Sequence, residues 1–500
     1  MITWGISANS HDGSLAVFKS GYKGLTQTPN LELVFASHTE RFSGLKNDPH
    51  LNRGIIDYAL QWGNPDEVVW YEKPFKKTIR QLVAGQGWNW NENNIKTYLR
   101  GYGINAPISY SSHHESHAAA GYYTSKFNDA TILCIDSIGE FETLTIWEAE
   151  GNKLKKVFTQ GYPNSIGLWY SAMTQRVGLK PNEDEYILMG MSAYGDQSKY
   201  YFHMKETFFK LGPHMHWQFP NVEFKNNLHR GCNWYLEGHT KWTDKLNIAA
   251  AAQSIYEEVF TGLVEYCSSN FKSKNLIVMG GCALNCKANS RAYSYYDNVW
   301  IMPNPGDAGS SIGAVLAKKQ QKIDWKSPYL GYDIQGEYPV DNLFRELKDN
   351  GIVGVANGKA EFGPRALGNR SLLADPRGKN MKDLVNTVKK RQKYRPFAPA
   401  ILAEHAEEYF YGEVGPYMQY TAKCRKPDEF PAIVHVDGTS RVQTVTKDDN
   451  TGLRELLERW YAKTGCPMLL NTSLNIKGNP MVNDQKDAKK FAHKYGVSVY

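Results

Sequence analysis

The chain opens on an apolar run, Ile2–Ser7, that stops at Ala8-Asn9-Ser10-His11-Asp12-Gly13 and resumes over residues 14–19. Apolar stretches broken by a cluster of turn-forming residues predict a β-hairpin. The plan returns at 131–136, where Thr131-Ile132-Leu133-Cys134-Ile135-Asp136 meets Ser137-Ile138-Gly139-Glu140 and residues 143–148 run back. Both hairpins carry an acidic residue at the turn. Two copies about a hundred residues apart predict a duplicated α/β domain in which each half contributes a turn to one cleft.

Between the hairpins, residues 67–71 and 108–112 read as strands, the second entering a helix at His113-His114-Glu115-Ser116-His117-Ala118-Ala119-Ala120. From 196 to 242 the pattern loosens into rings and histidines, among them Tyr200, Phe208, Trp217 and Trp234, which reads as an insertion or lid. Regularity returns with a helix over 246–267 and a strand over 276–279. Pro328, Gly331, Gly336 and Pro339 crowd the stretch 325–338 and predict a boundary. A fresh strand, Ile352–Ala356, opens a second α/β domain, so the expected division is 1–335 and 336–500.

Composition adds limits. With 500 residues, 41% hydrophobic and 22% charged, the chain fills more than one core and is not disordered by composition. A net charge of +7 favours anionic small molecules and argues against a dedicated nucleic-acid binder. Aromatic content is 13%, and rings left exposed line ligand or partner surfaces. The seven cysteines fit neither a disulfide framework nor a zinc ribbon. No signal segment and no apolar run of spanning length is read, so a cytoplasmic protein without a membrane partner is expected.

His113 and His117 stand four apart, which puts both imidazoles on one helical face, a geometry suited to two ligands of one divalent metal. Asp136 ends an apolar strand, where a buried carboxylate needs a partner, and Asp307 sits in the turn Pro305-Gly306-Asp307-Ala308-Gly309. Asp307 equally suits a helix cap. Two histidines with two aspartates would form a mixed N/O site for iron, manganese or zinc. Gly280-Gly281 before Cys282-Ala283-Leu284-Asn285 is either a tight turn or a close approach to a phosphate or ribose. Farther on, Arg365, Arg370, Arg395 and Arg441 lie among Gly, Pro and hydroxyl residues, a setting for bidentate phosphate binding.

These strings, in this order, resemble the O-carbamoyltransferase family of the NodU and CmcH type. The resemblance runs from Gly5-Ile6-Ser7 and His11-Asp12 through Gly306-Asp307-Ala308-Gly309 to Phe362–Ser371, Arg395-Pro396-Phe397-Ala398-Pro399 and Leu470-Asn471-Thr472-Ser473. It implies a duplicated actin-like N-terminal domain and a YrdC-like C-terminal domain. It implies that carbamoyl phosphate and ATP give carbamoyl adenylate in the second, and that an acceptor hydroxyl displaces AMP in the first. By motif, His113, His117, Asp136 and Asp307 would hold a divalent metal, with iron the family's usual ion, and Mg²⁺ could accompany ATP. His11 with Asp12 would serve acid–base chemistry on the acceptor, and Gly280, Gly281 and Asn285 would contact nucleotide. Arg365, Arg370, Lys389 or Lys390, Arg395, Thr439, Arg441, Asn471 and Ser473 would hold carbamoyl phosphate and ATP.

Trp217 and Trp234 are expected to wall the acceptor side of the N-terminal cleft. The acceptor could be a sugar, a metabolite, or a nucleotide or nucleic-acid hydroxyl, and the oligomeric state stays open. Two other readings compete: an actin-like kinase or ATPase that releases ADP, and a metal- and nucleotide-binding regulator without turnover.

Overall fold

The computed structural model describes residues 1–21, 30–449 and 451–500. Two compact units divide the chain: Met1–Ala36 with Pro49–Trp325, and Ser37–Asp48 with Lys326–Tyr500.

In the first unit the predicted hairpin pairs Ile2–Ser7 with Ser14–Gly21, in register from Ile2↔Lys19 to Ser7↔Ser14. The five-stranded sheet runs Asn30–His38, Ser14–Gly21, Ile2–Ser7, Glu67–Trp70, Ile108–Tyr110, and the last three strands are parallel. The second hairpin is longer than its apolar run predicted: Asp129–Gly139 pairs with Glu142–Glu150, which pairs with Lys153–Gly161. Its sheet runs Lys153–Gly161, Glu142–Glu150, Asp129–Gly139, Asn275–Met279, Asn298–Trp300, again with the last three parallel. The order and the parallel half therefore repeat, so the duplication read from the two hairpins is present in the fold. Asp129–Gly139 is central, with Ile132, Leu133 and Cys134 fully buried, as a continuous apolar run requires.

The helix His113–Thr124 starts at Ser112, whose N–H donates to the Glu115 carboxylate at 3.4 Å. Ala118, Ala119 and Ala120 are fully buried, so this helix is an interior element that presents its histidines inward. Residues 196–242 form a small packed layer, with helix Tyr201–Phe208 and the strand pair Phe209–Lys210 and Glu223–Phe224, leading into the long helix Trp242–Asn270.

The second unit holds a five-stranded sheet ordered Ile352–Ala356, Arg370–Ala374, Met468–Ser473, Ala398–Leu402, Gln443–Val445. All its pairs are antiparallel except Ala398–Leu402 with Gln443–Val445. Val353, Leu372, Ile401 and Leu469 are fully buried in its core.

The structure moves the expected division at 335/336. Tyr329–Ile334 pairs antiparallel with Gly358–Glu361, so the second unit already includes it. Ser37–Asp48 also belongs there: the Phe42 ring packs on Tyr332 at 6.2 Å and His38 on Phe362 at 5.4 Å. Neither contact is visible in a linear reading. Among the described residues no helix is long and apolar enough to cross a membrane.

Candidate functional site

In the first unit, helix His113–Thr124 carries both histidines, the central strand carries Asp136, and the turn Asp307–Gly309 carries Asp307. Asp136 Oδ2 lies 2.9 Å from His113 Nε2 and 3.4 Å from His117 Nε2. Asp307 Oδ1 lies 3.4 and 3.5 Å from the same two nitrogens. One donor atom from each of the four residues falls within 4.8 Å of the others. Burial works against charge on each group, yet the opposite charges win: the aspartates hold both imidazoles above their ordinary range, and the histidines hold both carboxylates below theirs.

The donor chemistry fits a divalent metal. His113 Nε2 and His117 Nε2 are 3.1 Å apart, so two N–H groups there would point at each other, whereas a cation accepts both lone pairs. Two imidazole nitrogens and two carboxylate oxygens make the mixed set expected of a first-row ion. The other Asp136 oxygen accepts from Ser137 N–H at 2.8 Å and Gly281 N–H at 3.3 Å, which orients the carboxylate.

Two glycines shape this site. Gly280 has φ 91°, and a Cβ there would overlap the Ile135 carbonyl, so the turn after Asn275–Met279 requires glycine. A Cβ on Gly139 would overlap the His113 ring.

Two contacts tie the segments beside the hairpin turns into the first unit. Ser14 Oγ donates to Ala308 O at 2.6 Å, and Lys73 N–H donates to Glu140 Oε1 at 2.6 Å. His11 Nδ1 lies 3.2 Å from Asp12 Oδ2, with both side chains about one-third exposed. Burial lowers the His11 imidazole, but Asp12, Asp307 and Glu183 outweigh it and raise it to about 9, so its resting form is the imidazolium. Asn285 departs from expectation. Its Oδ1 caps the helix Cys286–Asn289 and accepts from Gln253, to which its Nδ2 donates in return. That amide serves the fold.

In the second unit, Lys389 is 4% exposed, and its ammonium donates to the carbonyl and hydroxyl of Ser473 and to the carbonyl and amide oxygen of Asn475. Burial, then the nearby Arg391 and Arg395 charges, push it well below the ordinary lysine range. Its hydrogen-bond partners are neutral oxygens. Lys390, by contrast, takes φ 51° past the helix Met381–Val388 and points over the Tyr495 ring at 5.7 Å, so of the two lysines the structure brings in Lys389.

Arg370 also departs from expectation. It is fully buried, and its guanidinium donates to the carbonyls of Asn483, Asn357, Gly358, Asn369 and Tyr332 at 2.8–3.1 Å. Five carbonyls around one cation make it a clamp on the loop. Asn471 donates to Ala366 O and to Gln443, holding the same loop from below. Thr439 is engaged with Asp437 through its amide and hydroxyl. Arg365, Arg395 and Arg441 are each partly exposed.

The carbamoyltransferase N-terminus model matches residues 66–316, and the carbamoyltransferase C-terminus model matches residues 344–500. The chain belongs to the carbamoyltransferase family. It is 30% identical to sll1178 of Synechocystis sp., over 97% of this chain and 93% of that protein. It is 30% identical to nodulation protein NolNO of Sinorhizobium fredii, over 96% of this chain and 76% of that one. With 3'-hydroxymethylcephem-O-carbamoyltransferase of Amycolatopsis lactamdurans the identity is 26%, over 97% of both.

Within this family member several residues escaped the linear reading. The buried pair Glu72 and Lys77, 2.6 Å apart, holds the His11 turn through a Lys77 bond to Asn9 O at 2.7 Å. Arg41 and Glu361 are buried in the second unit, Arg41 donating to Gly363 O at 3.2 Å. Glu361 stands next to the Phe362–Ser371 string and was readable as part of it. Arg41 lies more than three hundred residues earlier, and no local signal pairs it with that loop.

The expected acceptor wall changes in part. Trp217 is half-buried, meets Phe209 edge-on at 4.9 Å and Phe219 at 6.4 Å, and has Lys205 Nζ 4.7 Å from its ring. Trp234 rests on Phe208 and keeps 51% of its surface exposed.

Proposed function

We propose that the chain is an ATP-dependent O-carbamoyltransferase with two chemical stations. In the second unit, water splits carbamoyl phosphate to carbamate and phosphate. A carbamate oxygen then attacks the α-phosphorus of ATP, and the bond to the β-phosphate breaks to release pyrophosphate. In the first unit, an acceptor hydroxyl attacks the carbamoyl carbon, AMP leaves with the bonding pair, and the hydroxyl proton passes to water. The mixed anhydride is needed because carbamate itself is a poor electrophile.

The observation that carries this reading is Lys389, buried beside Arg391 and Arg395 and stabilised by neutral oxygens. A buried ammonium whose partners are neutral oxygens is held at a cost until an anion enters, and phosphates supply that anion. Arg365, Arg395, Arg441 and Ser473 would complete phosphate binding, with Mg²⁺ accompanying ATP. The repeated sheet order supports an actin-like first unit, and the resemblance supports a YrdC-like second one.

His113, His117, Asp136 and Asp307 would hold the metal, with iron favoured by the family resemblance. A bound divalent cation would supply charge stabilisation to the nucleotide phosphate or carbamoyl oxygen. His11, as imidazolium beside Asp12, would donate toward the departing phosphate, and the Gly280–Gly281 amides would approach the nucleotide. Trp234 is the candidate acceptor-side ring, the acceptor being a sugar, metabolite or nucleotide hydroxyl.

The test supplies carbamoyl phosphate, ATP, Mg²⁺ and Fe²⁺ with a broad acceptor panel and follows products by mass. AMP, pyrophosphate and a carbamoylated acceptor support the reading; ADP as the nucleotide product refutes it in favour of a kinase.

A further inference from the structure

Arg41 and Glu361 are both buried in the second unit, at 4% and 2% exposure. Arg41 Nη2 donates to Gly363 O at 3.2 Å, and Nε stands 3.9 Å from Glu40 Oε1. Its Nε and Nη1 have no hydrogen-bond acceptor among the described residues. Glu361 Oε1 accepts from the backbone amides of Leu367, Asn369 and Arg370 at 2.7, 2.9 and 3.3 Å. Its Oε2 has no donor among the described residues. The two charges act on each other, yet no direct ion pair joins them. A cation with open N–H groups and an anion with an open oxygen, both buried, are costly to keep unless a ligand completes them.

The required ligand group must accept from a guanidinium and donate to a carboxylate. A carbamoyl group does both, through its carbonyl oxygen and its NH₂, whereas the acetyl group of acetyl phosphate offers an acceptor alone. The loop that wraps Glu361 leads into Ser371, which pairs in register with Ser473, the residue that takes the Lys389 ammonium. The open pair is therefore tied through one strand pairing to the cationic cluster that would hold phosphate.

We propose that Arg41 and Glu361 hold the carbamoyl end of the donor, Arg41 donating to its carbonyl oxygen and Glu361 Oε2 accepting from its NH₂. This rests on the adenylate-forming reading of the second unit. Neither residue acts on the reacting bonds; they position the group and select for it. A site built to bond an N–H rejects an analogue lacking it, so acetyl phosphate is a poor substitute.

The experiment measures pyrophosphate release by the full chain with carbamoyl phosphate or acetyl phosphate, and inhibition by inorganic phosphate. In Glu361→Gln the amide keeps an acceptor for the loop but turns a donor on the NH₂. Its KM for carbamoyl phosphate is expected to rise about tenfold or more and its preference over acetyl phosphate to fall, while the phosphate Ki moves less than about twofold. Arg41→Lys, which keeps the charge and loses the fork, is measured in parallel and is expected to behave alike if Glu361→Gln melts early. An unchanged KM, or a KM and phosphate Ki that rise together, overturns the proposal. A wild-type chain that releases no pyrophosphate instead contradicts the adenylate reading, and the proposal with it.

Discussion

Gly139 and the ring of His113 occupy space that a single added methyl would contest, since a Cβ at Gly139 would overlap Cγ and Cδ2 of that ring. The turn after Asp136 thus sets the position of a histidine on a different element. Gly139→Ala is expected to cost about 1–3 kcal/mol of stability through overpacking and to weaken metal binding with it. Metal titration of the variant beside wild type checks this; equal affinity contradicts the positioning role.

The four donors predict a clear division of labour. His117→Ala should lose bound metal by elemental analysis, and acceptor carbamoylation should fall by about two orders of magnitude. Pyrophosphate release should persist, because no donor of the cluster belongs to the second unit. Treatment of wild type with a chelator should reproduce the same pattern.

Lys389 and Arg370 are both buried cations in the second unit, and their environments predict opposite phenotypes. Lys389→Met frees the Ser473 and Asn475 oxygens and so lowers the melting temperature somewhat, but at a temperature where it is folded it should lose about 10²–10³ in the rate of pyrophosphate release. Arg370→Met should leave five carbonyls unpartnered and cost about 3–5 kcal/mol, read as a lowered melting temperature. A well-folded Arg370→Met with a selective defect in carbamoyl phosphate KM would reverse that assignment.

Glu40 makes a pH-dependent contribution to stability. Burial raises its carboxyl, but Lys46 at 2.8 Å, His38 and Arg41 outweigh burial and hold it at about 2 against an ordinary 4.5. A depressed carboxyl stabilises the fold above its unfolded pKa and loses that contribution as pH falls through the folded one. The shift corresponds to about 3 kcal/mol at neutral pH. The stability gap between wild type and Glu40→Gln, read from urea midpoints, should be full near pH 7 and shrink between about pH 4.5 and about pH 2. A gap that stays constant across that range contradicts the ion-pair account.

Much of the first unit was legible because its signals are local. A fully apolar run ending in Asp136 states both a central strand and a buried charge, and the i,i+4 histidines on an alanine-rich helix state where its partners face. The second unit was less so. Phosphate binding and loop clamping use the same arginine, and only the carbonyls around Arg370 tell the two apart. Lys389 and Lys390 are adjacent and alike in sequence, and the helix end separates them. Arg41 depends on a segment that joins a unit whose other residues begin at Lys326, a pairing of distant positions that no periodicity encodes.

The central claim is that one chain forms carbamoyl adenylate and then moves the carbamoyl group to a hydroxyl. The most direct measurement incubates the metal-loaded chain with carbamoyl phosphate carrying a labelled carbamoyl carbon, together with ATP and an acceptor panel, and follows nucleotide and label together. The account predicts AMP and pyrophosphate as nucleotide products, with the label on an acceptor in wild type and on no acceptor in His117→Ala. ADP formation, or labelled acceptor made without ATP, would contradict it.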